Sequence, residues 1–176
     1  NTSHYTIKID TSLPSAPTIT SITHDNNAWS GNTTVSLNWS ASDLVSSISN
    51  YSYTLSDNST VEPDNTGEGS GTAISPTKPE GIYYFKIKAQ DAASNWGLVS
   101  TYTIMIDNST PTFSSKAPQN NAILRNNRTP ISVTIKDFKA MINTSSITCF
   151  LDGTPHSCNI PCAYGASSCT VGVNYT

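Results

Sequence analysis

Apolar and polar residues alternate along several short stretches of the chain, which is the pattern of half-buried β-strands. Each stretch is bounded by Gly, Pro, Asn or Asp, and no stretch shows a convincing helical period of 3.6 residues. We therefore expect an all-β fold of antiparallel sheets packed face to face as β-sandwiches. The clearest alternating stretches are 35–39, 83–89, 102–106 and 131–135.

One seven-residue segment occurs twice. Residues 4–10 read HYTIKID and residues 101–107 read TYTIMID, an offset of 97, and each copy is followed at the same distance by proline, Pro14 and Pro111. A period of this length matches one sandwich of about seven strands. The repeat predicts tandem modules: the terminal strand of a preceding module over 1–13, a complete β-sandwich over 14–110, and an incomplete β-sandwich over 111–176.

The first copy carries an apolar row of Tyr5, Ile7 and Ile9. Two interpretations are open. The chain is a section of a longer tandem array, or this strand completes the open sheet of a neighbouring copy by β-strand addition. The last module lacks about two strands of a seven-strand sandwich, whereas the N-terminal segment holds one. We therefore favour the tandem array over strand donation.

Composition excludes two classes of partner. Charged residues make up 12% of the chain and the net charge is −3, with no basic stripe that could follow a phosphate backbone. The apolar runs are much shorter than the roughly 20 residues that cross a membrane as a helix. We expect neither nucleic-acid binding nor a membrane span in this segment.

Asn-X-Ser/Thr sequons are more frequent than the composition would give by chance. A surface rich in Ser, Thr and Asn with coincidental sequons is the alternative to N-glycosylation. The enrichment favours a heavily N-glycosylated chain. The sequons begin at Asn1, Asn32, Asn38, Asn50, Asn58, Asn108, Asn127, Asn143 and Asn174.

The four cysteines cluster in the last quarter of the chain, at Cys149, Cys158, Cys162 and Cys169. An even, clustered set in a secreted chain indicates two disulfides with three possible pairings. A hairpin centred between residues 153 and 154 would place Cys149 opposite Cys158, which favours 149–158 and 162–169. A zinc site is the rival interpretation, but the gaps of eight, three and six residues are not the short pairs of zinc modules. Disulfides and sugars together favour an extracellular location.

The middle segment, over 14–110, contains VSLNWSASD, SISNYSYTLSD, GIYYFKIKAQDAASNWG and YTIMID. In these stretches it resembles a fibronectin type III-like module of prokaryotic cell-surface proteins. The resemblance implies that Trp39 lies in the core, that Tyr51 and Tyr53 share a strand, and that Asp91 and Asn95 occupy a loop. The last segment, with SSITCFLDG, is similar to bacterial immunoglobulin-like modules of the same proteins. Such a resemblance implies a fold and does not specify a ligand.

Asp and Asn oxygens in turns are ordinary calcium ligands, and Asp91, Asn95 and Asp107 are the candidates for a structural Ca²⁺ site. Asp10 and Asp107 lie at module exits, and acidic groups at a module junction could stiffen it through Ca²⁺. We favour the interpretation that these residues only form turns, which Asp and Asn do by bonding their own backbone. No other cofactor is expected.

No catalytic residues are expected. The chain has neither a G-x-S-x-G elbow nor an HExxH motif, and its three Glu lie in loop-like sequence. Trp29 and Trp96 are flanked by polar loop residues and could stack on sugars, although covering the ends of the core is the favoured role.

The sequence thus favours a structural, extracellular surface protein: a segment of a stalk, surface layer or filament. Its expected partners are neighbouring modules or identical subunits in an array or filament, and N-linked glycans. An adhesin or carbohydrate-binding module is the alternative, and an accessory module of a secreted enzyme is a further one.

Overall fold

The computed structural model describes residues 4–123, 125 and 130–173. The sequons at Asn1, Asn127 and Asn174 lie outside the described residues. The chain divides into two compact units, Asn1–Asn108 and Ser109–Thr176. The predicted all-β class is confirmed: both units consist of strands and loops, and the described residues include one short 3₁₀ turn.

Unit 1 is a sandwich of two sheets. Strands β1, β3 and β5 form a three-stranded antiparallel sheet in the order β1-β3-β5, and the other four form a sheet in the order β2-β7-β6-β4. The strands are β1 (Thr18–Ser21), β2 (Trp29–Ser30), β3 (Leu37–Ser40), β4 (Ile48–Ser56), β5 (Ala73–Ile74), β6 (Gly81–Asp91) and β7 (Ser100–Ile106).

The core of unit 1 forms where the apolar rows of the two sheets meet. Leu37 and Trp39 of β3 face Phe85 of β6 and Ile104 of β7, and all four are buried. The Trp39 and Phe85 ring centroids lie 5.4 Å apart. Side chains alternate between the faces of a strand, so the alternation in the sequence directs every second residue into this core.

One strand pair of unit 1 is parallel. β2 runs parallel to β7, with Trp29 opposite Met105 and Ser30 opposite Ile106. Because β2 has only two residues, no alternation in the sequence indicated it. Every other strand pair of the described residues is antiparallel.

The two copies of the repeated heptad have opposite surroundings. In the second copy, Tyr102 and Ile104 lie in β7 and are 8% and 0% exposed. Their counterparts in the first copy, Tyr5 and Ile7, are 90% and 71% exposed and belong to no strand. Ile9 is likewise exposed. The same row of apolar side chains is therefore buried in β7 and exposed to solvent in the first copy.

Unit 2 is smaller than unit 1. Its four-stranded antiparallel sheet has the order β12-β13-β9-β8, and a separate hairpin pairs β10 with β11. The core cluster contains Ile135, Ile142, Cys169 and Val171. The strands are β8 (Thr112–Ala117), β9 (Ile131–Lys136), β10 (Cys149–Leu151), β11 (Thr154–His156), β12 (Cys158–Asn159) and β13 (Ser168–Val173).

Two disulfides join Cys149 to Cys158 and Cys162 to Cys169, the pairing that the sequence favoured. The register behind the first pair was wrong, however. Cys149 lies opposite His156, so the hairpin turns one position earlier than predicted. Asp152 and Gly153 have φ values of 51° and 77°, which suit a tight Asp-Gly turn. Cys158 belongs instead to β12, and the first disulfide therefore links the hairpin to the four-stranded sheet.

Membrane-crossing helices are absent from the part of the chain that the structure describes, because none of its helical segments has the necessary length and hydrophobicity.

Candidate functional site

The loop after β6 holds the most buried carboxylate of unit 1. Asp91 ends β6 and is 1% exposed. Its Oδ1 accepts hydrogen bonds from the backbone N–H groups of Ala93 and Asn95, at 2.9 and 2.8 Å. Its Oδ2 accepts a third, from the Asn95 side chain at 2.9 Å. A buried carboxylate is tolerated here because backbone and side-chain donors solvate it in place of water.

A second carboxylate comes from the loop between β3 and β4. Asp43 Oδ2 accepts hydrogen bonds from the backbone N–H groups of Val45 and Ser46, at 2.8 and 3.0 Å. The Ser12 hydroxyl also donates to this oxygen, at 3.3 Å. These bonds fix the orientation of the carboxylate and leave its other oxygen, Oδ1, turned away from the loop's donors.

The third carboxylate is supplied by the segment that precedes the sandwich. Asp10 Oδ1 accepts hydrogen bonds from the backbone N–H and the hydroxyl of Ser12, at 3.0 and 2.5 Å. The Asn95 side chain donates to the Asp10 carbonyl oxygen at 3.2 Å. Asn95 thus connects the segment around residue 10 with the loop that carries Asp91.

The segment is held against unit 1 on its C-terminal side as well. The Ser15 N–H donates to the Ser42 carbonyl at 2.8 Å, and the Ser42 N–H donates to the Ser15 hydroxyl at 3.0 Å. At Gly97, a Cβ atom would lie 2.5 Å from the Pro14 carbonyl oxygen, so the loop approaches the segment too closely for a side chain there.

The three carboxylates converge. Asp10, Asp43 and Asp91 each offer an oxygen, and these oxygens all lie within 4.8 Å of one another. Asp10 Oδ2 and Asp43 Oδ1 are shielded from solvent and have no hydrogen-bond partner among the described residues. Ionised carboxylates repel one another at this separation, and a desolvated, unpartnered carboxylate oxygen is costly.

Local hydrogen bonds keep two members of this carboxylate cluster ionised. Hydrogen bonds from Ser12 lower the pKa of Asp10, with a further contribution from the nearby Ser46 hydroxyl. That hydroxyl lies outside hydrogen-bond geometry, so its contribution is the weaker of the two. The backbone N–H groups of Ser46 and Val45 lower the pKa of Asp43, and they outweigh burial and the like charge of Asp10, which both raise it. The cluster is therefore negatively charged at neutral pH.

Of the three residues considered as calcium ligands from the sequence, only two lie close together. The structure brings Asp91 and Asn95 together, but Asp107 lies at the far end of unit 1, where its N–H donates to the Ser30 carbonyl at 3.0 Å. That end of β6 begins at Gly81, about 33 Å from Asp91 at the usual rise of a strand. Asp107 therefore does not join this set, and Asp10, its counterpart in the repeat, does.

Sequence reasoning named Asp10 as an acidic residue at a module exit, but it grouped neither Asp10 nor Asp43 with Asp91. The three lie 33 and 48 positions apart, which is not the spacing of a local metal motif. The signal that could have found Asp10 is the repeat, because it placed this residue directly before a module.

The remaining predicted residues have ordinary surroundings. Trp29 and Trp96 are both half-buried, Trp29 in β2 and Trp96 beneath the Lys88 ammonium, whose nitrogen lies 5.1 Å from the ring centroid. Among the sequon asparagines that the structure describes, Asn50 is half-buried and five are exposed. The exposed residues are Asn32, Asn38, Asn58, Asn108 and Asn143.

Comparisons with known proteins give no family. No family model matches the chain, and no curated protein matches it.

Proposed function

We propose that this chain is a structural segment of an extracellular surface protein, in which β-sandwich modules are joined in series and transmit tension. The observation that carries this proposal is the parallel pairing of β2 with β7. The preceding chain reaches β2 at its N-terminal end, and the following chain leaves β7 at its C-terminal end. Since the strands are parallel, opposite pulls on the two ends load their hydrogen bonds together, in shear.

Hydrogen bonds flanking this pair extend the connection. The Asn27 N–H donates to the Thr103 carbonyl at 3.1 Å, and the Thr103 N–H donates to Asn26 Oδ1 at 2.8 Å. At the other end, the Asp107 N–H donates to the Ser30 carbonyl at 3.0 Å. The bonds lie side by side along one edge of the sheet, so they must break together before β7 separates from β2.

The repeated heptad supports the serial arrangement. Tyr5, Ile7 and Ile9 reproduce the spacing of the buried row in β7 but are themselves exposed, which is expected of a strand that packs in a neighbouring sandwich of the series. The two disulfides and the exposed sequons fit an oxidising, glycosylating location outside the cell. Neighbouring modules and N-linked glycans are the proposed partners.

The mechanical role is tested by pulling the full chain between handles at its two ends. Asn26→Ala removes one of the flanking bonds, and we expect a lower unfolding force for unit 1 with little change in its equilibrium stability. Asn58→Ala is the matched control, because Asn58 Oδ1 accepts bonds from Thr60 in a loop away from β2 and β7. Equal unfolding forces in the two variants would contradict the proposal.

The serial arrangement has a separate test. Thr101→His combined with Met105→Lys gives β7 the sequence of the first heptad while keeping its three buried residues. If residues 4–10 are a terminal strand of the same kind of sandwich, unit 1 should still fold, with a loss of about 1 kcal/mol or less. A variant that fails to fold would show that the first heptad is unsuited to this strand.

A further inference from the structure

We infer that Asp10, Asp43 and Asp91 form a calcium site that fastens the N-terminal segment to unit 1. The inference is independent of the mechanical role. It rests on the convergence of three carboxylates from three separate parts of the chain, together with two shielded oxygens for which the described residues provide no donor.

The carboxylates are arranged as ligands usually are. In Asp10 and Asp43, one oxygen is held by donors of its own loop, while the other oxygen, Asp10 Oδ2 or Asp43 Oδ1, has no partner. Asp91 is fixed by three donors from its own loop, which orient it without using all of its acceptor capacity. Holding one carboxylate oxygen in place orients the other for a cation.

The chemistry of the ligand atoms favours calcium over other metal ions. The candidate ligands are the carboxylate oxygens of the three aspartates, and the shielded Ser46 hydroxyl lies beside Asp10. It contains no imidazole or thiolate, the ligands that distinguish zinc sites. Ca²⁺ accepts six to eight oxygens in flexible geometry and completes its shell with water, whereas Mg²⁺ requires a stricter octahedron. Extracellular modules bind Ca²⁺ with dissociation constants of roughly 10⁻⁴ to 10⁻³ M.

The ion would act on the segment through Asp10. Asp43 and Asp91 belong to loops of the sandwich, whereas Asp10 directly follows the exposed row of Tyr5, Ile7 and Ile9. Bridging the three would cancel the repulsion among them and join residue 10 to two loops at once. In the absence of the ion, the described residues hold residue 10 through Ser12 and Asn95, and the Ser15–Ser42 bonds hold the segment farther along the chain.

The test titrates the full chain with CaCl₂ and, separately, MgCl₂, and follows thermal unfolding by tryptophan fluorescence. All three tryptophans, Trp29, Trp39 and Trp96, lie in unit 1. We expect 10 mM Ca²⁺ to raise the unfolding midpoint by roughly 5 °C or more. An equal rise with Mg²⁺, or no rise with either ion, would overturn the assignment.

Three variants locate the ion. Asp10→Asn and Asp43→Asn should each weaken calcium binding, measured by calorimetry, by roughly tenfold or more. Asp57→Asn, in an exposed loop, should leave it unchanged. Without Ca²⁺, both cluster variants should unfold at a slightly lower temperature than the parent, because an amide keeps the acceptor but forms weaker hydrogen bonds than the ionised carboxylate. Unaltered calcium affinity in Asp10→Asn and Asp43→Asn would place the ion elsewhere.

Trypsin cleavage after Lys8, an exposed residue two positions before Asp10, reports directly on the segment. Ca²⁺ should slow cleavage there in the parent chain and leave the rate unchanged in Asp10→Asn. Calcium binding without any protection at Lys8 would contradict the fastening of the segment, even if the ion occupies the cluster.

Discussion

The hydroxyl of Tyr102 donates a hydrogen bond of 2.5 Å to the carbonyl oxygen of His24. It connects β7 to the loop between β1 and β2, and both residues are buried. Tyr102→Phe removes this donor from a buried acceptor, so we expect a loss of about 1–3 kcal/mol in the free energy of unfolding. Denaturant titration followed by tryptophan fluorescence measures it. Tyr5→Phe is the control, because Tyr5 holds the same position in the repeat and is 90% exposed.

The apolar rows of the two heptads provide a second comparison. Ile104→Ala creates a cavity at a fully buried position and should cost about 2–5 kcal/mol. Ile7→Ala changes the equivalent residue on an exposed segment and should stay within about 0.5 kcal/mol. Similar losses in both variants, measured by denaturant unfolding of the same chain, would mean that the first heptad is packed in solution.

Reduction should affect the two units differently. Both disulfides lie in unit 2, and Cys169 belongs to its core. Each closes a short loop, for which the chain-entropy estimate is roughly 2.5 kcal/mol. Dithiothreitol should therefore raise hydrogen exchange over residues 130–173 and leave the tryptophan-detected midpoint of unit 1 unchanged. Protection in unit 2 that survives reduction would show that its sheets do not depend on the disulfides.

The stability of unit 1 should fall between pH 7 and pH 5. Burial lowers the pKa of His24 from its ordinary value of about 6.5, so the folded state keeps the ring neutral. Between the lowered and the ordinary pKa the unfolded chain binds more protons, and stability is complete above about pH 6.5 and decreases as the pH falls.

His24→Gln should remove this dependence, whereas His4→Gln, at an exposed position, should retain it. Asp10 and Asp43 do not interfere in this window. Their pKa values are lowered from 3.8, so the stability that they contribute is lost only at lower pH. Denaturant midpoints at several pH values, measured without divalent ions, provide the comparison. A pH slope shared by both histidine variants would assign the effect to other groups.

Glycan occupancy should differ between two neighbouring sequons. Asn58 is exposed, whereas Asn50 Oδ1 accepts hydrogen bonds from the N–H groups of Tyr51 and Gly69, at 3.0 and 2.7 Å. A glycan on Asn50 would have to displace the loop that covers it. We expect high occupancy at Asn58 and low occupancy at Asn50 after secretion from an N-glycosylating host, measured by glycopeptide mass spectrometry. Equal occupancy would show that sugar attachment precedes closure of this loop.

The sequence predicted the buried faces of the strands and the presence of the Asp152 turn, because both depend on neighbouring residues. The alternation around Leu37, Phe85 and Ile104 indicated buried faces, because a strand directs every second side chain to one side. The turn at Asp152 was recognised by its residues, but its register was one position off. The hydrophobic alternation does not determine which two residues of a short hairpin occupy its turn. Here the positive φ angles of Asp152 and Gly153 place these two residues in the turn.

The candidate site depended on long-range topology and could not be assembled from the sequence. Asp91 and Asn95 are four positions apart and are hydrogen-bonded to each other, since both lie at the end of β6 and in the loop that follows it. Asp43 reaches them only because the loop after β3 lies beside the loop after β6, and Asp10 only because the preceding segment is pinned there. Asp107 was misplaced for the converse reason: its resemblance to Asp10 is one of sequence, and β6 separates their positions.

Asp10 and Asp107 stand at the same place in the repeat but at opposite ends of the unit 1 sandwich, the first beside the end of β6 and the second beside its start. A chain that enters a module at one end and leaves it at the other becomes about 33 Å longer with each module, the length of β6. Adding or deleting whole repeats would then change the distance between the two ends of the series in fixed steps, with no change in the fold of any module.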